Sequence, residues 1–514
     1  MPQTARTAEM SAGRRWAALA VLVLAVGLLA IDATVLYLAV PSLTRDLAPT
    51  STQVLWIGDV YSLAIAGLLI TMGTVADRIG RKRLLLIGAS AFGAASALAA
   101  LAPSAEVLIA ARLLLGVAGA TIMPSTLSLI RTIFVDAHER TRAIAVWSAA
   151  AGAGAAVGPL VGGALLEHFW WGSVFLVNVP VVVVLVVAGL VLLPESRDPA
   201  PGRLDPMSAA LSFATLMPLV YGIKHAVSDG FDPVTIGALV VAAGSGVTFI
   251  RRQRHLRDRS LAPLLDIDLF RIPAFSGAVM ANFIAIFALT GLLFFFSQYL
   301  QLVRGFSPLV AGLAELPATV ASIVVVVLVG TAVARLGRGR AIAAGLGSTA
   351  IGMVAIAAAE GNDRYVWLAL ALVPAGLGVG LAMTLTTDAV VSSVPPARSG
   401  AASAISETAY ELGVALGVAI LGSLVSVGYR ARLTVPEDVP GDVRAYVTDS
   451  LASAVVAAGD RPDVVDAARE AFVGALQTTC LVAAALTLAA AVVAWWLIPS
   501  EPADRLAARS GGHA

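Results

Sequence analysis

The sequence has few charged residues, one cysteine, two lysines and five histidines, and these shortages exclude several classes of protein. Charged residues make up 13% of the 514, against about 25% in soluble domains, which excludes a soluble globular protein. The single Cys480 excludes a disulfide framework. Neither Lys82 nor Lys224 follows a glycine, so the phosphate-binding loop of an ATP-driven pump is absent. The histidines lack the spacing of metal ligands, and we expect no metal, no cofactor and no enzymatic activity.

Hydrophobic residues make up 58% of the chain, and they cluster in windows long enough to cross a bilayer as helices. Fourteen such windows predict an all-α, multi-pass protein of the cell membrane. They cover residues 16–40, 55–75, 84–102, 107–130, 143–166, 174–193, 207–223, 234–250, 274–302, 308–334, 341–359, 365–387, 400–428 and 472–498. The net charge of +1 does not indicate a nucleic-acid partner, and we expect none. We expect a monomer that contacts the lipid bilayer.

The basic residues predict the orientation of the chain. If both termini are cytoplasmic, 24 of the 34 lysines and arginines fall in cytoplasmic segments, as the positive-inside rule requires. The longest outer loop is then 429–471, where the stretches 442–457 and 463–470 look helical and are separated by a glycine and a proline. We therefore expect a small external helical hairpin in this loop.

An internal repeat divides the chain into two halves. The string GTVADRIGRKR at 73–83 returns as GTAVARLGRGR at 330–340, each time where a predicted span ends at the cytoplasmic side. Parallel halves of this kind are typical of transporters. The expected divisions are a six-helix bundle, two extra central spans with a linker, a second six-helix bundle with the external hairpin, and a cytoplasmic tail, at 1–195, 196–260, 261–498 and 499–514.

Three charged residues lie within the first, second and fourth predicted spans. Asp32 and Asp59 interrupt apolar runs, and Arg112 lies about one turn inside the membrane. Because an ionised side chain in hydrocarbon costs about 2.5–3.5 kcal/mol, Arg112 needs a carboxylate partner. All three residues are expected at similar depth. The pattern fits either a structural ion pair or a functional proton site.

Three more acids lie within predicted spans of the second half. Glu315 is in the tenth span, and Glu407 and Glu411 are in the thirteenth. Since Glu407 and Glu411 are four residues apart, they share one helix face. Two carboxylates so placed in a low dielectric do not both ionise easily, which suits a proton carrier.

Two glycine-rich motifs accompany these charges. The first repeat copy is a tight basic loop in which an acid can hold an arginine, either as a conformational latch or only as a charged anchor. The latch residues are Gly73, Asp77, Arg78, Gly80 and Arg81. The fifth span contains a small-residue stripe that allows close helix packing, and its residues are Gly154, Gly158, Pro159, Gly162 and Gly163.

These motifs resemble signatures of the major facilitator superfamily. The loop resembles the signature between its second and third spans, and the stripe in the fifth span is similar to its antiporter motif, which marks exporters. Further strings look like the fourteen-span drug:proton antiporters that export quaternary ammonium compounds and dyes. They are LAIDATVLYLAVP (29–41), LWIGDVYSLAIAG (55–67), MPSTLSLIR (123–131), VFLVNVP (174–180) and SETAYELG (406–413).

The resemblance implies the function and the site. Asp32, Asp59, Glu407 and Glu411 fall on acids that the family uses for protonation and cation recognition, and Arg112 on an arginine linked to proton transfer. Where some members carry an additional acid in the tenth span, this chain has Ser322. We suggest Glu315 as its substitute. The expected cargo is lipophilic cations, namely quaternary ammonium compounds, intercalating dyes and fluoroquinolones, exchanged for protons.

An apolar cavity rich in aromatic residues would bind a flat cation by area burial and cation–π contact. The candidates for its lining are Tyr37, Trp56, Tyr61, Trp147, Phe287, Phe294 and Tyr410.

Other functions compete with multidrug export. The same fold could export an endogenous antibiotic or metabolite, or act as a proton-coupled importer. A polytopic enzyme would place its acids near loops rather than within spans. A receptor or channel has no need of a duplicated cytoplasmic latch.

Overall fold

The computed structural model describes residues 10–197, 204–259, 261, 263–395, 398–459 and 461–500. Within these residues, fourteen helices are long and apolar enough to cross a membrane, which confirms the predicted number of spans. The first five spans are single helices, α1 to α5: Ala12–Leu47, Ser51–Ile79, Arg81–Ala100, Ala105–Ile133 and Ala137–His168. Four of the 24 basic residues counted for the orientation lie outside the described residues, namely Arg6, Arg203, Arg505 and Arg509. The orientation of the termini stays a prediction.

The other spans include several composite helices. The sixth consists of α6 (Ser173–Leu176) and α7 (Asn178–Leu192), and the next two are α8 (Pro206–Ser228) and α9 (Pro233–Asp258). The ninth is α10 (Pro273–Gln298), which continues as a π-helical turn at Tyr299–Val303. The remaining spans and helices, in chain order, are α11 (Pro308–Ala314), α12 (Leu316–Val324), a 3₁₀ turn (Val325–Leu328), α13 (Val329–Leu336), α14 (Arg338–Ala359), α15 (Tyr365–Ser392), α16 (Ser399–Arg432), α17 (Gly441–Asp449), α18 (Leu451–Ala457) and α19 (Pro462–Leu497).

Local sequence signals determine where many of these helices begin and end. The side chain of Thr50 accepts a hydrogen bond from the backbone of Gln53, and the Gln53 side chain accepts one from the backbone of Thr50, which forms a capping box at the start of α2. Asp136 caps α5 in a similar way by accepting from the Glu139 amide. Gly80 has a φ of 114°, a conformation that favours glycine, and it separates α2 from α3.

The described chain forms two compact units. Unit 1 contains the described parts of Met1–Leu219, Ala238–Leu264 and Phe306–Leu313. Its core lies where α1 packs on α5, α2 on α4 and α3 on α4, and is made of aliphatic side chains with few aromatics. Its helices α1, α2 and α4 carry the buried Asp32, Asp59 and Arg112.

Unit 2 contains the described parts of Val220–Gly237, Leu265–Gly305 and Ala314–Ala514. Its core lies where α14 packs on α15 and α19, and where α10 packs on α16. Alanine and glycine are common at these contacts. Gly352 shows this, because a Cβ built on it would lie 2.4 Å from the Ala375 nitrogen, so the two helices approach backbone to backbone.

The long loop before the last span differs from the expected hairpin. Residues 442–457 form two helices, α17 and α18, because Ser450 interrupts the first and caps the second. Residues 463–470 are the first turns of α19 and not a separate arm. Pro462 at the start of the helix and Asp463 in its first turn favour a helix start there, and no breaker follows before the end of the span.

Candidate functional site

The centre of unit 1 is the carboxylate of Asp32, which is fully buried on α1. Arg112 Nη1 on α4 donates to Asp32 Oδ2 at 3.2 Å, and Asn178 Nδ2 at the start of α7 donates to Asp32 Oδ1 at 2.6 Å. Asn178 Nδ2 also donates to Ser96 Oγ on α3 at 3.2 Å. Four helices therefore contribute to one buried polar cluster, and both carboxylate oxygens accept a hydrogen bond.

Arg112 has further contacts that hold its guanidinium in place. Its Nε donates to the Ile57 carbonyl on α2 at 3.1 Å, and its Cζ lies 4.6 Å from the centre of the Tyr61 ring. A second ring, that of Phe175, is 6.0 Å away. Because a desolvated guanidinium is stabilised by a carbonyl and by aromatic faces, Arg112 keeps partial support when the charge of Asp32 changes.

The glycine motif of α5 positions the helix that carries Asp32. A Cβ built on Gly158 would lie 1.9 Å from Thr34 Oγ1, and one on Gly162 would lie 2.7 Å from Val35 Cγ2. Similarly, a Cβ on Gly154 would meet the carbonyl oxygen of Gly27 at 2.8 Å. Only glycine permits this approach, so the stripe holds α1 directly against α5. Pro159 lies within the same stretch of α5, and Gly163 faces the backbone of Leu309.

Asp59 belongs to the same unit but has a different position. It is fully buried on α2, between Ile57 and Tyr61, both of which contact Arg112. The ion pair with Arg112 is nevertheless formed by Asp32. The sequence left both acids open as partners, and the structure distinguishes them.

The predicted latch is a hydrogen-bonded junction at one end of unit 1. Arg81 Nη2 donates to Asp77 Oδ1 at 2.8 Å, and Arg81 Nη1 donates to Thr132 Oγ1 on α4 at 2.9 Å. The Arg81 amide donates to the Ser196 carbonyl at 2.9 Å. Three segments thus meet at one arginine. Of the other predicted latch residues, Gly73 contacts Pro124, Gly80 provides the left-handed turn, and Arg78 lies in the last turn of α2.

The second repeat copy forms a junction of the same type in unit 2. Gly337 has a φ of 77°, and the next residue, Arg338, pairs with Asp388 Oδ2 on α15 at 3.0 Å. Arg338 Nη1 also donates to the Ser392 hydroxyl at 2.6 Å. The repeat therefore conserves the glycine turn and the arginine of the first copy, while the acid comes from a different helix.

The predicted acids of unit 2 lie on two different spans, Glu315 in the tenth and both Glu407 and Glu411 in the thirteenth. Glu315 lies at the junction between α11 and α12 with 7% of its surface exposed. Glu411 is also 7% exposed on α16, and Glu407 is half-buried one turn earlier. Neither Glu315 nor Glu407 forms an ion pair with a described residue. Just before Glu407 in the chain, the Ser406 carbonyl accepts a hydrogen bond from Asn282 Nδ2 on α10 at 3.3 Å.

The aromatic candidates are distributed over both units. Tyr37 is buried on α1, Trp56 is half-buried on α2, and Trp147 Nε1 donates to Thr126 Oγ1 at 3.2 Å. In unit 2, Phe287 packs with Phe283, Phe294 is fully buried against Phe295, and Tyr410 is half-buried beside the acids of α16. Of the seven, Tyr61 contacts a charged member of the Asp32 cluster. A common aromatic cavity stays a prediction.

Two residues of the Asp32 cluster, Asn178 and Ser96, were not predicted as part of the site. Asn178 stood out as a polar residue in an apolar run, but nothing in the sequence indicated that it reaches Asp32. Ser96 gave no signal, because a serine in an alanine-rich helix is ordinary. The break after Val177, where α7 begins at Asn178, is what brings the amide to the carboxylate.

The chain is similar to known proteins over most of its length. The profile described as Major Facilitator Superfamily matches residues 22–418. The chain is 48% identical to the multidrug efflux pump LfrA of Mycolicibacterium smegmatis, over 96% of this chain and 97% of that protein. It is 37% identical to the methyl viologen resistance protein SmvA of Salmonella typhimurium, over 94% and 98%.

Among solved structures, the fold resembles a bacterial homologue of the human lysosomal transporter Spinster, with a TM-score of 0.65 at 17% identity. That match covers 95% of this chain and 97% of the other.

Proposed function

Because this chain belongs to the major facilitator superfamily, we propose that it exports lipophilic cations in exchange for protons, with Asp32 as a proton-exchanging carboxylate. The chain is an efflux transporter of the plasma membrane and not an enzyme, as its family and its relatives show. The proposal concerns the cargo, the coupling ion and the residues that carry them.

The observation that supports the proposal is the fully buried pair of Asp32 and Arg112. A structural pair would need only a partner for its charges. Here the guanidinium also has the Ile57 carbonyl and the face of Tyr61, so it stays stabilised when Asp32 takes up a proton. Protonation would remove the negative charge without leaving Arg112 unsupported, which is the property that a proton-exchanging site requires.

The competition between proton and cargo supplies the coupling. A cation is bound while a carboxylate is charged, and protonation from the outer side cancels that charge and releases the cation. Since the two ligands exclude each other at one group, binding of either lowers the affinity for the other by the same factor. Asp59 lies beside the Arg112 contacts and suits the same step.

The cargo is proposed to be a quaternary ammonium compound, an intercalating dye or a related lipophilic cation. Glu407 and Glu411 share a face of α16 with Tyr410 between them, which offers negative charge and an aromatic ring to a flat cation. The relative named for resistance to methyl viologen, a flat dication, agrees with this cargo class. We include fluoroquinolones as further cargo.

Transport in inverted membrane vesicles tests the proposal. Ethidium uptake should follow an imposed pH gradient and stop with a protonophore. Asp32→Asn and Glu411→Gln should lose most uptake, while Asp59→Asn and Glu407→Gln should lose it for some cargoes only.

A matched control is Asp46→Asn, which removes an exposed acid from the end of α1, the helix that carries Asp32. This variant should transport as the wild type does. Full proton-driven ethidium uptake by all four site variants would refute the assignment of these acids, and uptake by the wild type that ignores the protonophore would refute proton coupling.

A further inference from the structure

The tenth span is interrupted at Glu315. The helix α11 ends at Ala314, α12 begins at Leu316, and Pro317 follows in the first turn of α12. A proline at this position cannot donate a backbone hydrogen bond to the preceding turn, so the helix cannot continue regularly. The hydroxyl of Tyr365 on α15 donates to the Ala314 carbonyl at 2.8 Å, so a side chain of another helix contacts the backbone at the break.

The carboxyl group at this break is buried and incompletely bonded. Glu315 is 7% exposed, and its Oε1 has no hydrogen-bond partner among the described residues. The ionisable group that faces it is Tyr365, and among the described residues no arginine or lysine forms an ion pair with it. An unpaired carboxylate in such surroundings costs several kcal/mol, so burial at this break favours the protonated form of Glu315.

The segments on either side of the break are anchored separately. Before the break, the Leu309 amide donates to Glu167 Oε2 on α5 at 3.4 Å within unit 1. After the break, the backbone of Ala318 and Ser322 lies against Gly376 and Gly380 of α15 within unit 2, so closely that a Cβ on Gly380 would lie 2.4 Å from the Ser322 carbonyl oxygen. The break at Glu315 therefore lies between two separately anchored segments.

We propose that Glu315 carries a second proton through the transport cycle, so that two protons enter for each monovalent cation exported. This inference rests on the proposed function. Bending at the break exposes the carboxyl to water, where it releases the proton that it holds when buried. Asp32 differs, since its charge is balanced by Arg112 in the same buried cluster. The two acids lie in different units, so each can take up and release its own proton.

The number of protons determines whether transport responds to voltage. Exchange of one proton for one monovalent cation moves no net charge and depends on the pH gradient alone. With two protons, one net charge crosses in each cycle, and the driving force gains about 2.3 kcal/mol per 100 mV. Since about 1.4 kcal/mol corresponds to a tenfold change, 100 mV raises the steady-state cation gradient by about 50-fold.

The test measures ethidium uptake into inverted vesicles at a fixed pH gradient. A lumen-positive potential is set by K⁺ and valinomycin, and vesicles that lack the protein serve as the blank. Wild type should accumulate about 50-fold more ethidium for each added 100 mV. Glu315→Gln should keep uptake driven by the pH gradient and lose the response to potential. Tyr365→Phe should transport more slowly and keep the response, because it changes the break but not the carboxyl. Glu470→Gln, an exposed acid of α19, should behave as wild type.

Each contrary result overturns the inference in a recognisable way. If Glu315→Gln responds to potential as the wild type does, Glu315 carries no proton. If the wild type is driven by the pH gradient but ignores potential, the second proton is refuted while the proposed exchange stands. If Glu315→Gln loses both uphill uptake and ethidium counterflow, it serves cargo movement itself and the inference is wrong. If the wild type ignores both gradients, the proposed function fails as well.

Discussion

The two units stabilise their buried acids in opposite ways. In unit 1 the carboxylate of Asp32 accepts from Arg112 and Asn178, so a charged acid is balanced by a charged base inside the protein. In unit 2 neither Glu315 nor Glu407 forms an ion pair with a described residue. A base beside a buried carboxylate favours its charged form, whereas burial without a base favours the protonated form. The two units therefore place their buried acids in different electrostatic surroundings.

The largest effect is expected where the charge balance of unit 1 is broken. Replacing Arg112 by methionine leaves Asp32 buried without a base, which should reduce the free energy of unfolding by about 3–5 kcal/mol. The double variant Asp32→Asn with Arg112→Met removes both charges and should recover most of that stability. It should not recover proton-driven transport.

Thermal unfolding in detergent and ethidium uptake in vesicles measure the two outcomes separately. If the double variant is as unstable as Arg112→Met alone, the ion pair is not what stabilises this cluster. If it transports, Asp32 is not the exchanging group.

The second largest effect is expected on the stability of unit 2, from a buried acid that lies outside the spans. Glu360 follows the last residue of α14, is 3% exposed, and accepts from the Cys480 thiol at 3.8 Å. Burial raises the pKa of its carboxyl to about 8, against the smaller opposing effects of Cys480 and Arg304. The unfolded chain loses this proton near pH 4.5, so the folded protein should lose stability as pH rises from there to about 8.

Glu360→Gln removes that dependence. The variant should match the wild type near pH 4.5 and exceed its stability at pH 8–9 by on the order of a few kcal/mol. Unfolding in detergent across this pH range is the measurement. Parallel curves for the two proteins would mean that Glu360 is ionised when folded, contrary to the description of unit 2.

A smaller effect is expected from the packing that supports Asp32. In Gly158→Ala the new methyl group would lie 1.9 Å from Thr34 Oγ1 and 3.2 Å from the Ile31 carbonyl oxygen. The helices α1 and α5 must then separate, at a cost of about 1–3 kcal/mol, and transport should fall because the Asp32 cluster moves.

Gly152→Ala is the matched control on the same helix, since nothing lies within 4 Å of its new methyl group. It should be neutral or slightly stabilising, because alanine favours a helix. Equal losses in the two variants would show that the stripe affects helix propensity and not the approach of α1.

The smallest effect is expected from replacing one arginine in each of the two repeat copies. Arg81 and Asp77 have side chains that are 21% and 34% exposed, whereas Arg338 and Asp388 are 37% and 59% exposed. Exposed ion pairs contribute about 0–1 kcal/mol to the free energy of unfolding. The variants Arg81→Ala and Arg338→Ala should therefore both stay folded. Arg81→Ala should slow transport more than Arg338→Ala, because Arg81 joins three segments. Equal rates of ethidium uptake would mean that the copies are only charged anchors.

Much of the fold could be predicted because hydrocarbon imposes strong constraints on a sequence. About twenty mostly apolar residues in a membrane admit few structures, and the fourteen predicted spans correspond to the fourteen candidate spans among the described residues. The first and last residues of the helices were less predictable than their number. The last predicted window began at residue 472, whereas α19 begins at Pro462. The first turns of this helix contain polar residues such as Asp463 and Arg469, so a search for apolar residues does not find where the helix begins.

The site was partly predictable for the same reason. A buried Arg112 requires a carboxylate, and the structure supplies Asp32. The sequence could not choose between Asp32 and Asp59, since that depends on how α1, α2 and α4 rotate against each other. It also could not indicate Asn178, whose role depends on a break between two short helices. The repeat predicted two similar loops, but not that the acid of the second would be Asp388.

The length of α19 has a consequence for experiments on the living cell. Its 36 residues make a rod of about 54 Å at 1.5 Å per residue, well beyond the ~30 Å of the hydrocarbon layer. If its first turns lie outside the membrane as the charge distribution predicts, they continue the span beyond the lipid while staying packed on the chain through Val464, Ala468 and the bond from Arg469 Nε to the Leu302 carbonyl at 3.0 Å. A fluorophore on Asp466, an exposed residue of those turns, would then report each tilt of the buried portion without entering the lipid.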